Sequence, residues 1–246
     1  MVRPFNFCLF SKTLELLSKM NLLLTSATYF EVNQTIDYLD KYWDKVEEGT
    51  WKSGNHEIHL LVTGVGVFNV LYELKNRLNL FSYSLIIQAG IGGAFQKNKP
   101  LGKVYYMATE QFGDIGMEEK DGSFTSIFET PLIEKNSFPF TEGVLINPEA
   151  SLTKFLPLAH GITLNTVTGT QSKADKIIIK YPEVEIENME GASFFYVCLK
   201  EKIPFMSIRS ISNYVEDRNK ENWKMVEAIK SLNNTLAELF DIMKEM

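Results

Sequence analysis

The chain has 246 residues, 45% hydrophobic and 23% charged, an ordinary globular make-up that excludes disordered, collagenous and fibrous classes. A chain of this length makes one large domain or two small ones and buries its core without disulfide staples. Lys plus Arg is 25 and Asp plus Glu is 31, a net charge of −6, so there is no basic footprint for duplex nucleic acid, although a single nucleoside stays within reach.

The start of the chain sets Arg3, Lys12 and Lys19 around Phe5, Phe7, Leu9 and Phe10. It lacks the apolar run and small-residue cleavage site of a signal peptide. Residues 1–19 are therefore read as an extension outside the fold, and 20–246 as one domain. Asn21–Ser26 reads as a buried strand, and 30–45 as a helix carrying Val32, Ile36, Leu39 and Trp43 on one side. Residues 57–63 form the next strand, ending in Gly64-Val65-Gly66, and Val67–Leu80 a helix. A strand at 84–88 runs into Ala89-Gly90-Ile91-Gly92-Gly93, and 103–108 is another strand. The stretch 113–136, rich in Gly, Asp, Glu and Ser, reads as a long loop. Strands are expected at 161–167 and 184–188, an apolar helix at 190–200, a strand at 205–212 and a long helix at 221–246. The alternation implies an α/β fold, a central, partly parallel sheet with helices on both faces. In such sheets ligands bind beyond the carboxyl ends of the strands.

Cys8 and Cys198 are too few for a disulfide framework and have no CxxC spacing. His56 and His59 are three apart, but neither His160 nor any cysteine stands near them, so no metal is expected. No segment is long and apolar enough to cross a bilayer, and the expected location is cytoplasmic. There the sequons Asn33-Gln34-Thr35 and Asn233-Asn234-Thr235 carry no meaning.

Four strand ends hold the candidate chemistry. Gly90–Gly93 is neither a dinucleotide fingerprint nor a phosphate loop; alone it reads as a tight turn, with pocket-shaping as the alternative. Glu190 opens an apolar helix, either as an acid favoured by the helix dipole or as a buried carboxylate accepting sugar hydroxyls. Glu31 by itself is a solvated acid of the first helical turn. Asn213 by itself is a turn residue.

Taken together, residues 21–32, 62–66, 88–95 and 188–213 resemble the motifs of the nucleoside phosphorylase and nucleosidase superfamily. The strongest piece is Asn188-Met189-Glu190-Gly191-Ala192 followed by Ile208-Arg209-Ser210-Ile211-Ser212-Asn213. Within the superfamily the chain is most similar to the futalosine hydrolases, with the methylthioadenosine/S-adenosylhomocysteine nucleosidases next. The resemblance implies a three-layer α/β/α sandwich around a mixed sheet and a nucleoside substrate. It also implies no metal or organic cofactor, and a homodimer or larger assembly.

Carried over by position, Glu190 binds ribose hydroxyls, Met189 packs on the sugar, and Glu31 positions and deprotonates the attacking water. Gly90 and Gly92 shape the pocket. Asn213 stands where adenosine-type nucleosidases carry an aspartic acid. An amide NH2 can donate to both N7 and O6 of a 6-oxopurine, whereas a carboxylate would face O6 unfavourably. Ser212 would orient that amide. Phe95, Phe112 and Tyr214 could stack on the base or simply be core. Arg218 and Trp223 could form a lid or reach the 5′ group, or be a solvated cation and a helix anchor. Arg209 reads as a buried structural cation. Phosphorylases of the superfamily hold phosphate with arginines near the first and third strands; 21–32 has none, and Gln88 stands where a cation is expected. Hydrolysis of futalosine to hypoxanthine, in menaquinone biosynthesis, is therefore the expectation. The rivals are an adenosine-type nucleosidase, a purine phosphorylase and a non-catalytic nucleoside-binding protein.

Overall fold

Leu22 and Leu24 of the first strand are buried in one apolar cluster and Leu23 in another, so this strand needs cover on both faces. The computed structural model describes residues 20–150 and 155–245; the expected extension at 1–19, with Cys8, lies outside the described residues. The elements in chain order are β1 (Asn21–Ser26), α1 (Tyr29–Tyr42), β2 (Asp44–Glu47), β3 (Thr50–Ser53), β4 (His56–Val62), α2 (Val67–Leu80), β5 (Leu85–Ala94) and β6 (Val104–Phe112). There follow β7 (Gly116–Glu118), β8 (Phe124–Ser126), β9 (Phe140–Thr141), β10 (Val144–Ile146), β11 (Leu158–Thr163), α3 (Gln171–Lys180), β12 (Ile186–Asn188), α4 (Gly191–Glu201), β13 (Phe205–Tyr214) and α5 (Met225–Lys244).

The central sheet is mixed. β1 is parallel to β4 and β5, β13 is parallel to β5, and β12 runs antiparallel to β5. β5, β12, β11, β6 and β13 pair in a closed circuit, a small barrel within the sheet. Val32 and Leu39 of α1 pack with Leu232, Leu236 and Phe240 of α5 over one face. Val70 and Leu74 of α2 pack with Phe194, Phe195 and Cys198 of α4 over the other. Helices thus cover both faces, as the alternation of elements predicts.

Several expectations need correction. Gly90–Gly93 is not a turn: β5 runs straight through it, because β13 pairs along its length from Ile86 to Ala94. The helix expected over 30–45 stops at Tyr42, where Trp43 turns extended and is buried, and a hairpin of exposed β2 and β3, which buries Thr50 and Trp51, follows. All four residues of β2 are exposed, so no alternation marked it. The expected loop over 113–136 contains the β7–β8 hairpin, whose first strand is likewise fully exposed. Helix α3 went unforeseen; it buries Ala174 and Ile177, but an exposed Ile179 blurs its stripe. Among the described residues no helix is long and apolar enough to cross a membrane.

Asn233, read as part of an idle sequon, is a buried clamp between α5 and α1. Its Oδ1 accepts from Thr35 N (2.7 Å) and Thr35 Oγ1 (2.6 Å), and its Nδ2 donates to the carbonyls of Glu31 (2.8 Å) and Ile229 (2.7 Å). Removing it strands buried donors on α1. Asn233→Ala should lose about 2–3 kcal/mol of stability in a urea titration; a loss below about 0.5 kcal/mol, the range of surface substitutions, would remove the clamp from the account.

Candidate active site

Glu31 sits in the first turn of α1, immediately after β1, and is buried rather than solvated. Thr28-Tyr29-Phe30-Glu31 is a capping box, so the carboxylate folds back to accept from Thr28 N (3.0 Å). Its Oε2 also accepts from Ser26 Oγ (3.1 Å) and Thr28 Oγ1 (3.0 Å), and its Oε1 from Ile91 N (3.1 Å). Oε1 keeps one accepting site for a ligand or water. Gly90 lies against this carboxylate; a Cβ there would stand 3.1 Å from Glu31 Oε1 and 3.4 Å from Arg209 Nη1.

Glu190 caps α4. Its Oε1 accepts from Gly66 N (3.0 Å), an amide presented by the loop after β4, where Gly66 adopts φ 98°, a conformation that favours glycine. The other oxygen remains available. Burial pushes the Glu190 carboxyl up; Arg209 and the Gly66 amide pull it down, and the charge of Glu31 adds to the rise. Arg209 itself is 1% exposed. Its guanidinium donates to Gln88 Oε1 (2.7 Å) and to the Ile208 carbonyl (3.1 Å), and Nε has no partner among the described residues. Gln88 is thus engaged in holding this cation rather than in substituting for one.

A third carboxylate supports the Glu190 loop from below. Glu110 is fully buried and accepts from Asn188 Nδ2 (2.7 Å) and Thr163 Oγ1 (3.0 Å). Asn188 Oδ1 in turn accepts from Glu190 N (3.0 Å) and Gly191 N (2.6 Å), and Thr163 Oγ1 accepts from Ala192 N (2.7 Å). The start of α4 is therefore hung on the Glu110–Asn188–Thr163 network. Burial raises the Glu110 carboxyl to about 7, with Arg209, Asn188 and Thr163 opposing and Glu190 reinforcing.

Asn213 owes its position to a bulge. Ile211 pairs with Gly92 and Asn213 with Gly93, so Ser212 is one residue too many. The extra residue changes the parity of the strand: Ile211 enters the core and Asn213 comes up beside Gly93. Asn213 Oδ1 accepts from Ser212 Oγ (2.8 Å), and Nδ2 donates to the Tyr214 carbonyl (3.0 Å). A backbone carbonyl can only accept, which fixes the amide with its nitrogen on that side. One N–H is left, so the amide offers a single free hydrogen rather than the two expected from sequence.

A cavity of about 350 Å³ opens between these elements. Glu31, Met189, Glu190, Gly92, Ser212, Asn213 and Arg218 all line it. Phe112 and Phe95 do not: Phe112, on β6, turns into the main apolar cluster, and Phe95, one residue past β5, packs on Ile162 and its neighbours. Tyr214 also stays outside, its ring under Lys97. Arg218 stacks over Trp223, its guanidinium 5.2 Å from the ring centroid, and both line the wall. Sequence reasoning missed Gly66, Thr28, Ser26, Glu110 and Glu187. Of these only Thr28 carried a signal, the Thr-x-x-Glu capping box.

The pattern of the family described as "Phosphorylase superfamily" matches residues 31–246. A futalosine hydrolase of Streptomyces coelicolor is 27% identical over 162 residues, 66% of this chain and 67% of that protein. A 5′-methylthioadenosine/S-adenosylhomocysteine nucleosidase of Buchnera aphidicola is 25% identical over 202 residues, covering 80% of this chain and 79% of its own. Among solved structures, futalosine hydrolase of Helicobacter pylori superposes with a TM-score of 0.72 at 15% identity, over 92% of this chain and 97% of that one. The MTA/SAH nucleosidase of Streptococcus pneumoniae with 8-aminoadenine gives 0.73 at 18% identity, over 90% and 99%. At these identities the superpositions establish the fold.

The Glu110 network has a pH signature. Its carboxyl is raised to about 7 in the fold against 4.5 in a free chain, so between these values the native state holds the extra proton. Stability should fall as pH rises from about 4.5 to about 7 and flatten above. Glu110→Gln should remove that slope, and denaturant titrations of both proteins across this range measure it. Parallel curves would deny Glu110 its raised titration.

Proposed function

Because the chain belongs to the phosphorylase superfamily, we propose that it is a nucleosidase that hydrolyses the N-glycosidic bond of a 6-oxopurine nucleoside, with futalosine as its substrate. The observation that carries this reading is the convergence of Glu31, Glu190 and Asn213 on one cavity. The Streptomyces relative, named a futalosine hydrolase, supports the choice of substrate.

The geometry suggests the division of labour. The free oxygen of Glu190 accepts ribose hydroxyls, since its partner oxygen is already held by Gly66 N. Glu31 is immobilised by four donors with one accepting site left on Oε1, which suits a carboxylate that aims a water molecule at C1′. The C1′–N9 bond stretches first and the ribose acquires oxocarbenium character, which the flanking carboxylates stabilise. The purine leaves as an anion, and the one free N–H of Asn213 meets its N7/O6 edge. Asn has no proton to surrender at neutral pH, so departure relies on this hydrogen bond.

Water rather than phosphate as nucleophile is supported by the lining. Among the described residues Arg218 is its one Lys or Arg, and that side chain lies with Trp223, next to the Asn213 strand end. A phosphate dianion there would face the carboxylates of Glu31 and Glu190, and the cation behind them, Arg209, is already committed to Gln88 and the Ile208 carbonyl. Arg218 suits the carboxylate of the futalosine 5′ substituent. The reading places the enzyme in menaquinone biosynthesis, acting as a homodimer or larger assembly. Val65 at the cavity, with Phe68 and Tyr72 of α2, exposes an apolar face for such an assembly.

Hypoxanthine should appear from futalosine without phosphate, and adding phosphate should not accelerate it. Adenine release from methylthioadenosine at a comparable rate would favour the adenosine-type reading instead. Glu31→Gln should lower kcat by about 10²- to 10⁴-fold with KM little changed; near-normal turnover takes Glu31 out of the mechanism. Asn213→Asp should shift preference toward the 6-amino analogue of futalosine, read as the ratio of kcat/KM values; an unmoved ratio puts base selection elsewhere.

A further inference from the structure

One fully buried acid does no chemistry in this mechanism. Glu110 stands on β6 with none of its surface exposed, and the fold clears space for it. A Cβ on Gly161 of β11 or on Gly191 of α4 would collide with its Oε1. Housing a carboxylate at this depth is costly unless hydrogen bonds hold it, and the bonds it makes lead directly to Glu190.

Those bonds have two arrangements. Thr163 Oγ1 carries one hydrogen and has two acceptors within reach, Glu110 Oε2 at 3.0 Å and Asn188 Oδ1 at 3.2 Å. With Glu110 ionised, the hydroxyl points to Glu110, and Asn188 Nδ2 donates to Glu110 Oε1 (2.7 Å). Asn188 Oδ1 then gives its two lone pairs to Glu190 N (3.0 Å) and Gly191 N (2.6 Å). A proton on Glu110 has to sit on Oε2, because Oε1 already faces an N–H. It donates to Thr163 Oγ1, and the Thr163 hydrogen turns to Asn188 Oδ1. That oxygen now meets three donors with two lone pairs, so its hold on Glu190 N and Gly191 N slackens.

We infer that Glu110 is a positioning residue for Glu190: ionised, it fixes the head of α4 through Asn188, and protonated, it turns the Thr163 hydroxyl and loosens Glu190. The inference rests on the nucleosidase reading for what Glu190 binds, whereas the switch itself belongs to the fold. Burial raises the Glu110 carboxyl to about 7, so the two arrangements exchange near neutral pH. The charged groups facing it are Arg209 of β13, which opposes the rise, and Glu190 at the head of α4, which adds to it. The neighbouring strands β10, β11 and β12 present Leu145, Gly161, Thr163 and Asn188, none of them charged. The proton that stabilises the fold below this pH is the one that slackens the site.

Two measurements against pH test this, one of them independent of activity. In the wild type, kcat/KM for futalosine should fall about 3- to 10-fold toward acid, with its midpoint at about 7. Glu110→Gln is neutral at every pH and donates from its amide to Thr163, so its kcat/KM should stay flat at the acid-side value. Thr163→Ser retains a hydroxyl and should retain the pH dependence. In parallel, the backbone amide NMR signals of Glu190 and Gly191 should titrate with the same midpoint in the wild type and stay still in Glu110→Gln. An acid limb that persists in Glu110→Gln belongs to a carboxylate of the cavity and overturns the proposal. So does a limb lost in Thr163→Ser, and so do wild-type amide signals that ignore pH, a result that needs no variant to fold. A protein that releases no hypoxanthine, yet shows the titration of these amides and its loss in Glu110→Gln, would reject the nucleosidase reading and keep the switch.

Discussion

A single buried guanidinium holds the candidate site together. Arg209 is 1% exposed, and its positive charge lowers the carboxyls of both Glu110 and Glu190. A Cβ on Gly90 would meet both its Nη1 (3.4 Å) and Glu31 Oε1 (3.1 Å), so guanidinium and Glu31 carboxylate stand on the same side of β5. Three acids packed this closely would repel one another and take up protons. The guanidinium beside them opposes the rise that burial imposes on Glu110 and Glu190. It is itself anchored by neutral partners, Gln88 and the Ile208 carbonyl, so none of its carboxylate neighbours is locked into a direct ion pair with it. Glu190 thereby keeps an oxygen for a ligand.

The second constraint is the run of glycines in β5. These residues do not bend the chain; they clear space beside a strand flanked on both sides. At Gly92 a Cβ would stand 2.7 Å from Ile186 and 2.9 Å from the Glu187 carbonyl. At Gly93 it would stand 2.9 Å from Val215 Cγ2 and 3.1 Å from Asn213 Nδ2. Bare backbone here lets β12 and β13 close on β5. The bulge at Ser212 sets the orientation of Asn213, because in an unbulged strand Asn213, two residues on, would share the inward orientation of Ile211.

The supports are layered. Asn233 on α5 holds the Glu31 carbonyl, and Glu110 holds the loop of Asn188, Met189 and Glu190 through Asn188 and Thr163. Neither residue lines the cavity, yet each fixes a carboxylate that does. Strand ends, helix starts and the loops pinned against them therefore set the geometry of both acids.

Much of this was legible in the chain itself. Apolar runs such as Leu22–Leu24 and the stripes of α1 and α5 fix the α/β class, because burial on two faces leaves a compositional mark. The motif around Asn188–Ala192 and Ile208–Asn213 marks Glu190 and Asn213, since they stand at strand ends where backbone and ligand meet. The exposed strands β2 and β7 left no such mark. Solvation was misjudged for Glu31, because one sequence cannot show that β5 will bring Gly90 and Ile91 N against the first turn of α1. Phe112 and Tyr214 differ from cavity residues only by strand parity, which composition does not report, and Phe95 by lying one residue past β5. The bulge that aims Asn213, the single hydrogen its amide has left and the buried cation near three acids arise only when strands distant in sequence pair in register. Those contacts join residues up to about two hundred positions apart, so only the folded chain decides them.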